Sequence, residues 1–494
     1  MHKCYNSKKW RYKHVFLGID IGTSGVKAVI VDEHGVVVDQ QNAALAVSRP
    51  HPLWSEQEPD DYWTATQTAV LGIDPAFRAR VQGIGIAGQM HGATLLGTDD
   101  RPLRPVILWN DGRSFAECTA LELAVSNSRQ LTGNIAMPGF TAPKLLWVRE
   151  HEPEIFAQTR TILLPKDYVR LCLTGDKASD LSDSAGTLWL DVVKRDWSDA
   201  MLEACDLSRG QMPLLHEGCR VTGKLRSDIA ASWGMDAVPV AAGGGDNAAG
   251  AAGVGVVSDG DALLSLGTSG VIFVATKDFR PNPARAVHAF CHCLPDMWHQ
   301  LTVHLSAASC IDWAAKLTGC DGPAALFTLA ETAGAASGPE IFLPYLSGER
   351  TPHNDPHIRG SFLALDNETS PEKLAQSVLE GVAFALADGL SALKEADTNI
   401  EFLSVIGGGA RSAYWGSIIA AALGTPLVYL EGGEVGPALG AAKLAQMAVS
   451  GADAASIFAA PPVSHVIKPD QAMTDVLAPK LARFRAAYSH ISAL

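Results

Sequence analysis

The chain has 494 residues, room for two to four domains at about 150 residues each. Its 47% apolar and 19% charged residues describe a globular protein with sizeable cores. With 39 basic against 53 acidic residues the net charge is −14, without long blocks of either sign. That argues against nonspecific binding to nucleic acid or to an anionic membrane, and an anionic substrate would need a local cationic or metal-ion site.

Residues 1–14 carry five basic side chains (Lys3, Lys8, Lys9, Arg11, Lys13), no acid and no apolar core, and read as a disordered basic extension rather than a secretory or transit signal. An alternative start is Val15, where an apolar run begins. Val15 to Ile19, Ala28 to Val31 and Val36 to Val38 read as three antiparallel strands opening an α/β domain with a mixed sheet. The turn between the first two is Gly22-Thr23-Ser24-Gly25-Val26. Pro59-Asp60-Asp61 starts a helix, with proline in the first turn and acids at the positive end of its dipole. A buried strand, Val81 to Ala87, delivers Gly88-Gln89-Met90-His91-Gly92. A further strand, Val106 to Leu108, delivers Trp109-Asn110-Asp111-Gly112-Arg113. Polar clusters just past strand ends are where open α/β sheets hold ligands. Two more, Leu163 to Tyr168 and Ala178 to Asp183, could reach a sugar or cap helices, Ser179, Asp180 and Ser182 being good capping residues.

A short strand, Ala237 to Ala242, then runs into Gly243-Gly244-Gly245-Asp246-Asn247-Ala248 and an Ala/Gly-rich helix. Three glycines imply close approach of a ligand, and Asp246 is either a cap or a chemical group; local sequence leaves both open. From Gly22 to Gly267, a distance of 245 positions, Gly-Thr-Ser-Gly-Val recurs as Gly267-Thr268-Ser269-Gly270-Val271, again between two apolar runs. Such a turn suits phosphate, its backbone N–H groups and hydroxyls converging without bulk, and two copies at half-chain spacing indicate two related domains that grip a polyphosphate. The second half continues with helices over Ser306 to Thr318, Ala324 to Ala333 and Pro371 to Lys394. Strands then lead into Gly407 to Ser412 and Gly432 to Pro437, Gly-rich segments able to lie against a planar nucleoside. The longest small-apolar stretch, Ala237 to Val257, is broken by Asp246 and Asn247 and is no membrane span. Nine scattered cysteines fit reduced thiols in a cytosol. His288 to Cys293 lacks a second Cys/His pair at finger-like spacing and reads as a buried strand.

Together these motifs resemble the FGGY family of sugar kinases, within the wider actin and hexokinase-like (ribonuclease H-like) ATPase fold. The resemblance rests on Gly18 to Gly25, Ile86 to Gly92, Leu108 to Arg113, Met137 to Trp147, Ala242 to Ala248, Leu264 to Gly270, Leu343 to His353 and Ile406 to Ser412. It implies two α/β domains with mixed sheets flanking an active-site cleft: 15–257, binding sugar, and 258–494, binding nucleotide. The implied reaction is ATP-dependent phosphorylation of D-xylulose, with Mg2+, in the cytoplasm, by a chain that pairs as a homodimer and binds neither nucleic acid nor membrane. By motif, Asp246 would be the general base and Asp20 would position Mg2+ and phosphate, both carboxylates serving the metal. Gln89, Met90, His91, Trp109, Asp111, Asp246 and Asn247 would meet the sugar. Thr23, Ser24, Gly267, Thr268, Ser269, Gly408, Gly409 and Arg411 would hold the nucleotide.

Two other readings compete. A related kinase for ribulose, glycerol or gluconate would differ only around Gln89 to Gly92 and Trp109 to Arg113. A non-enzymatic ATP-binding scaffold or sugar sensor has no need for a carboxylate at the acceptor site, so Asp246 speaks against it.

Overall fold

The computed structural model describes residues 14–431 and 436–492. Met1 to Lys13, which make up nearly all of the basic extension, and Gly432 to Val435 of the second Gly-rich segment lie outside the described residues. The chain forms two compact units. The first holds the described residues through Val257 together with Phe290–His299 and the described part of Val435–Ala460. The second holds Ser258–Ala289, the described part of Gln300–Glu434, and the chain from Pro461 on.

In the first unit, β1 (Val15–Ile21), β2 (Gly25–Asp32) and β3 (Val37–Ala44) form the expected antiparallel opening. β4 (Val81–Gly88) runs parallel to β1 on its other side. With β5 (Val221–Lys224), β6 (Pro239–Ala241) and β7 (Gly244–Gly245) they make a seven-stranded mixed sheet of order β5-β6-β4-β1-β2-β3, β7 pairing with β4. The run Val106 to Leu108 differs from expectation: only Val106–Ile107 is a strand, paired with Glu56–Gln57 outside this sheet. β1 and β4 are buried along nearly their whole length, as expected of strands covered on both faces. α1 (Pro59–Gly72) packs on β2 and β3, with Pro59 at its start and Asp60 and Asp61 in its first turn. The helix Gly436–Ser450 packs on β1 and β4, although it comes from the far end of the chain. Its approach is set by glycines. A methyl group at Gly18 or Gly85 would stand 1.9 Å from the backbone oxygen of Ala438 or Ala441.

A second sheet, lying mainly in the second unit, is formed by β8 (Ala262–Leu266), β9 (Gly270–Thr276), β10 (His288–Cys291), β11 (Trp298–His304), β12 (Leu403–Ile406), β13 (Leu427–Leu430) and β14 (Val463–Ile467) in the order β10-β11-β9-β8-β12-β13-β14. β8 is antiparallel to β9 and parallel to β12, which is parallel to β13, which is antiparallel to β14. β1, β2, β4, β6 and β5 stand in the same relations, so the repeated turn marks a repeated topology. α7 (Pro371–Lys394), with α5 (Ala308–Thr318) and α6 (Gly322–Ala333) before it and α8 (Ala413–Leu423) and α9 (Gln471–Ile491) after it, builds a core around Leu264, Leu379, Phe384, Trp415 and Phe484. α7 begins with Pro371 and Glu372 and ends with Lys394, charges that complement its dipole.

The glycine contacts predict a sharp response. Gly85→Ala drives a methyl group into a helix backbone that cannot yield as a side chain would, and is expected to lose about 3 kcal/mol or more of stability. Gly210→Ala, where the nearest atom is a serine hydroxyl 3.6 Å away, is expected to be close to neutral. Urea denaturation of the two variants makes the comparison.

Candidate active site

Strand register assembles the first half of the site. Asp20 pairs with Ala87, and Ala87 with Gly244. The parallel strands β1, β4 and β7 therefore run out side by side, bearing Asp20 on the first, Gln89, Met90 and His91 just past the second and Asp246 just past the third. Gly243 makes the last exit possible: its φ is +82° and a Cβ there would lie 1.7 Å from the Ile86 oxygen. Asp246 is the first residue of α4 (Asp246–Gly253), whose cap position is taken by Gly245. Its carboxylate is thus not the helix cap. Oδ1 accepts hydrogen bonds from Asn247, through the backbone N–H at 2.7 Å and Nδ2 at 2.9 Å.

Both carboxylates keep a partly accessible face, yet protein crowds around them. Burial pushes Asp246 up to about 6 against the two bonds from Asn247. Burial, with the charge of Asp246 added, pushes Asp20 up to about 7, and Lys27 opposes it. Among the described residues Asp20 Oδ1 is buried with no hydrogen-bond partner. Two desolvated acids, one with an orphaned oxygen, fit a hard divalent cation. Among the described residues no group of three or more His, Cys, Asp or Glu forms a metal cage. Mg2+ needs none, since it is commonly held by one or two carboxylates, substrate phosphates and water. Asp20 and Asp246 are the residues that would hold it.

The sugar-side candidates fall into two groups. Met90 is buried, and His91 stands beside it at φ +71°, its ring edge-on to Phe140 at 4.7 Å and its Nδ1 donating to the Gly186 carbonyl at 2.7 Å. Lys144, fully buried, donates to the carbonyls of His91 (2.9 Å) and Gly139 (2.7 Å) and so holds the backbone turn at His91. Asp111 is also buried, but its oxygens already accept Ser55 N (2.6 Å) and the backbone N, Nε and Nη2 of Arg113 (2.9, 2.9 and 2.7 Å). With those acceptor sites filled, Asp111 acts as a brace for the loop beyond Trp109. Trp109 is exposed and donates its Nε1–H to Thr23 Oγ1 at 3.0 Å. Thr23 in turn donates to Gln89 Oε1 at 2.8 Å, and Gln89 Nε2 donates to Gln57 Oε1 at 2.9 Å. Gln57 closes the ring by donating to the Thr23 carbonyl at 2.7 Å. Gln57 and Gly186 have no motif of their own, and Lys144, inside the Met137 to Trp147 stretch, was not singled out there; their distant partners identify all three. Ser24 is exposed beside this ring.

In the second unit a cavity of about 350 Å³ is lined by Gly267, Thr268, Gly408 and Gly409, together with Phe327 and Asp312, which the sequence did not single out. Thr268 holds the start of α5, its carbonyl accepting from Ala307 N (2.9 Å) and Ser309 Oγ (2.8 Å). Ser269 and Arg411 lie outside the cavity lining. Gly408–Arg411 forms a 3₁₀ turn ahead of α8.

Sequence comparison agrees with this geometry. The model of the N-terminal domain of the FGGY family of carbohydrate kinases matches residues 15–253, and that of its C-terminal domain matches residues 262–449. The chain belongs to the FGGY family of carbohydrate kinases, phosphotransferase enzymes with a two-domain α/β fold. It is 57% identical to the xylulose kinase of Escherichia coli (strain K12) over 88% of this chain and 90% of that one. It is 53% identical to the xylulose kinase of Klebsiella pneumoniae over 97% of this chain and 100% of that one. Among solved structures, a xyloylose kinase from Brucella ovis superposes with a TM-score of 0.93 at 50% identity, covering 97% of this chain and 100% of that one.

Lys144 gives the site a pH signature. Burial pushes its pKa down from the ordinary 10.5 to about 7, with Asp111 opposing and Arg113 assisting. Between those values the unfolded chain holds the proton and the folded one does not, so stability from this residue rises with pH. Below pH 7 both states are protonated and the dependence ends. Urea titrations of wild type and Lys144→Met are expected to show the wild-type advantage growing by about 2 kcal/mol from pH 7 to pH 9. A constant difference would mean that Lys144 stays charged.

Proposed function

We propose that the chain transfers the γ-phosphoryl group of ATP to the 5-hydroxyl of D-xylulose, forming D-xylulose 5-phosphate and ADP. The observation that carries this reading is the 57% identity to the Escherichia coli xylulose kinase over 88% of the chain; two buried carboxylates at the ends of neighbouring parallel strands support it. Sugar is held mainly by the first unit, with Met90, His91, Asn247 and the exposed face of Trp109 as contacts. Nucleotide is held mainly by the second, in the cavity at Gly267, Thr268, Gly408 and Gly409, with Ser24, Ser269 and Arg411 toward the phosphates and ribose.

Phosphoryl transfer asks a protein for positioning and charge neutralisation more than for covalent chemistry. Asp246 takes the proton of the 5-hydroxyl as that oxygen bonds to phosphorus and the bond to the β-phosphate oxygen breaks. A carboxylate raised toward neutrality is a stronger base than an ordinary aspartate while still ionised at physiological pH. Its Oδ2 has no hydrogen-bond partner among the described residues, leaving it open to a hydroxyl. Mg2+, when bound, would neutralise charge on the phosphates and between Asp20 and Asp246. We place the enzyme in the cytosol, supported by the free state of all eight described cysteines, and as a homodimer on the family resemblance, which light scattering tests. No helix among the described residues is long and apolar enough to cross a membrane.

Asp246→Asn keeps the shape and removes the base, and is expected to lower kcat by about 10²–10⁴-fold. Undiminished turnover would remove Asp246 from that role. In the same coupled ADP-release assay, a panel of xylulose, ribulose, glycerol and gluconate is expected to give xylulose the highest kcat/KM; a preference for another member names the substrate instead. His91→Ala is expected to raise the sugar KM far more than the ATP KM, because a site that reads hydroxyls penalises a missing partner. Equal effects on both would count against sugar contact.

A further inference from the structure

Beneath the strand that delivers Asp246 lies a fully buried group of charged and hydroxyl side chains. Lys166 and Arg170 come from α2 (Pro165–Thr174), while Asp180, Ser182 and Asp183 surround the short α3 (Leu181–Ala185). Lys166 Nζ contacts Asp167 Oδ1 at 2.6 Å, Asp180 Oδ1 at 2.7 Å and Asp183 Oδ2 at 3.5 Å. Asp180 caps α3, its Oδ2 accepting Ser182 N at 2.7 Å and Asp183 N at 3.2 Å, and it also accepts the Ser182 hydroxyl. A buried group of this kind is hard to justify by stability alone, because desolvating several charges offsets most of their attraction.

Its contacts with the strand exit suggest the reason. Arg170 donates to the carbonyls of Ala241 (2.9 Å) and Ala242. Gly245, the residue before Asp246, donates its N–H to Ser182 Oγ at 3.0 Å. The Ser182 hydroxyl donates its proton to Asp180, so a lone pair of Oγ is left facing the Gly245 N–H. The Lys166–Asp180 charge pair thereby fixes the polarity of the hydroxyl. At the other end of α3, the Gly186 carbonyl accepts from His91 Nδ1 at 2.7 Å, and a Cβ on Gly186 would lie 2.7 Å from that ring. One five-residue helix thus touches the backbone that carries Asp246 and the ring of His91.

We infer that α3 is the spacer that sets the distance between His91 and Asp246, and that Ser182 is a positioning residue for Asp246, acting through the Gly245 N–H. This rests on the proposed roles of Asp246 and His91. A base displaced by a fraction of an ångström from its hydroxyl loses rate while nucleotide binding in the other unit is untouched.

The test compares Ser182→Cys, close to serine in size but a poor acceptor, with Ser182→Thr, which keeps the hydroxyl, using Asp246→Asn as reference and D-xylulose as acceptor. Ser182→Cys is expected to lose about ten- to a hundredfold in kcat, with the ATP KM and the urea midpoint near those of wild type. Ser182→Thr is expected to recover most of the rate. An inactive Asp246→Asn beside a fully active Ser182→Cys overturns the positioning role and leaves the base intact, whereas an active Asp246→Asn overturns the base itself. Equal losses in Cys and Thr variants, or a loss of midpoint without loss of kcat, would also overturn the inference. Should Ser182→Cys not fold, Asp180→Asn removes the charge that orients the hydroxyl and must show the same fall in kcat at unchanged ATP KM; wild-type turnover there overturns the inference equally.

Discussion

Burial of Asp20 and Asp246 at the ends of parallel strands is the constraint around which the first unit is arranged. Two carboxylates that water would otherwise screen are drawn close together by the parallel register of β1, β4 and β7, with burial as the larger cause of their raised pKa values. Nothing in the fold relieves this fully. Lys27, across the hairpin from Asp20, and Asn247, beside Asp246, only moderate it. A fold that keeps two desolvated carboxylates gives up stability there. In the same unit the helix Gly436–Ser450 packs closely on β1 and β4 at Gly18 and Gly85, the strands that bear Asp20 and lead to Gln89.

The second unit repeats the topology without the tension. Ser265 on β8 pairs with Ile406 on the parallel strand β12, as Asp20 pairs with Ala87. Where the first unit has an acid, the second has a neutral hydroxyl, and its turn opens onto a cavity with the aromatic face of Phe327 and the bare backbone of Gly408 and Gly409. A duplicated strand plan therefore carries two settings: two buried carboxylates in the first unit, and a cavity with glycine-lined walls in the second.

Much of this was legible in the sequence because it is local. Apolar runs beside glycines marked β1 and β4, and the helices read over Ser306 to Thr318, Ala324 to Ala333 and Pro371 to Lys394 lie close to their observed limits. What depends on partners far along the chain was not legible. Val106 to Leu108 has β character, yet a short apolar run does not say which strand it pairs with, and it joins Glu56–Gln57 instead of the main sheet. The helix Gly436–Ser450 packs in the first unit because glycines on two strands leave room for it, a complementarity spread over more than 400 positions. Asp246 was ambiguous between cap and chemistry until the structure put Gly245 in the cap position. The Asp180 to Asp183 cluster showed its capping residues plainly, but not that the Ser182 hydroxyl reaches the Gly245 N–H.

In the first Gly-Thr-Ser-Gly turn the two hydroxyls stand in different settings. Thr23 and Ser24 are equivalent on paper, each a small hydroxyl in a phosphate-type turn. In the fold they differ. The Thr23 proton is committed to Gln89 and its oxygen also accepts Trp109, while Gln57 holds the carbonyl of the same residue. Releasing Thr23 toward a phosphate would leave Gln89 Oε1, buried, without that donor, which costs about 1–3 kcal/mol. Ser24 is exposed and carries no such debt to the interior. Thr23 therefore fixes the turn and aims Trp109, and of the two hydroxyls Ser24's is the one this network leaves uncommitted. The ring Thr23–Gln89–Gln57 ties the phosphate turn to the loop bearing Trp109, so the shape of one sets the shape of the other.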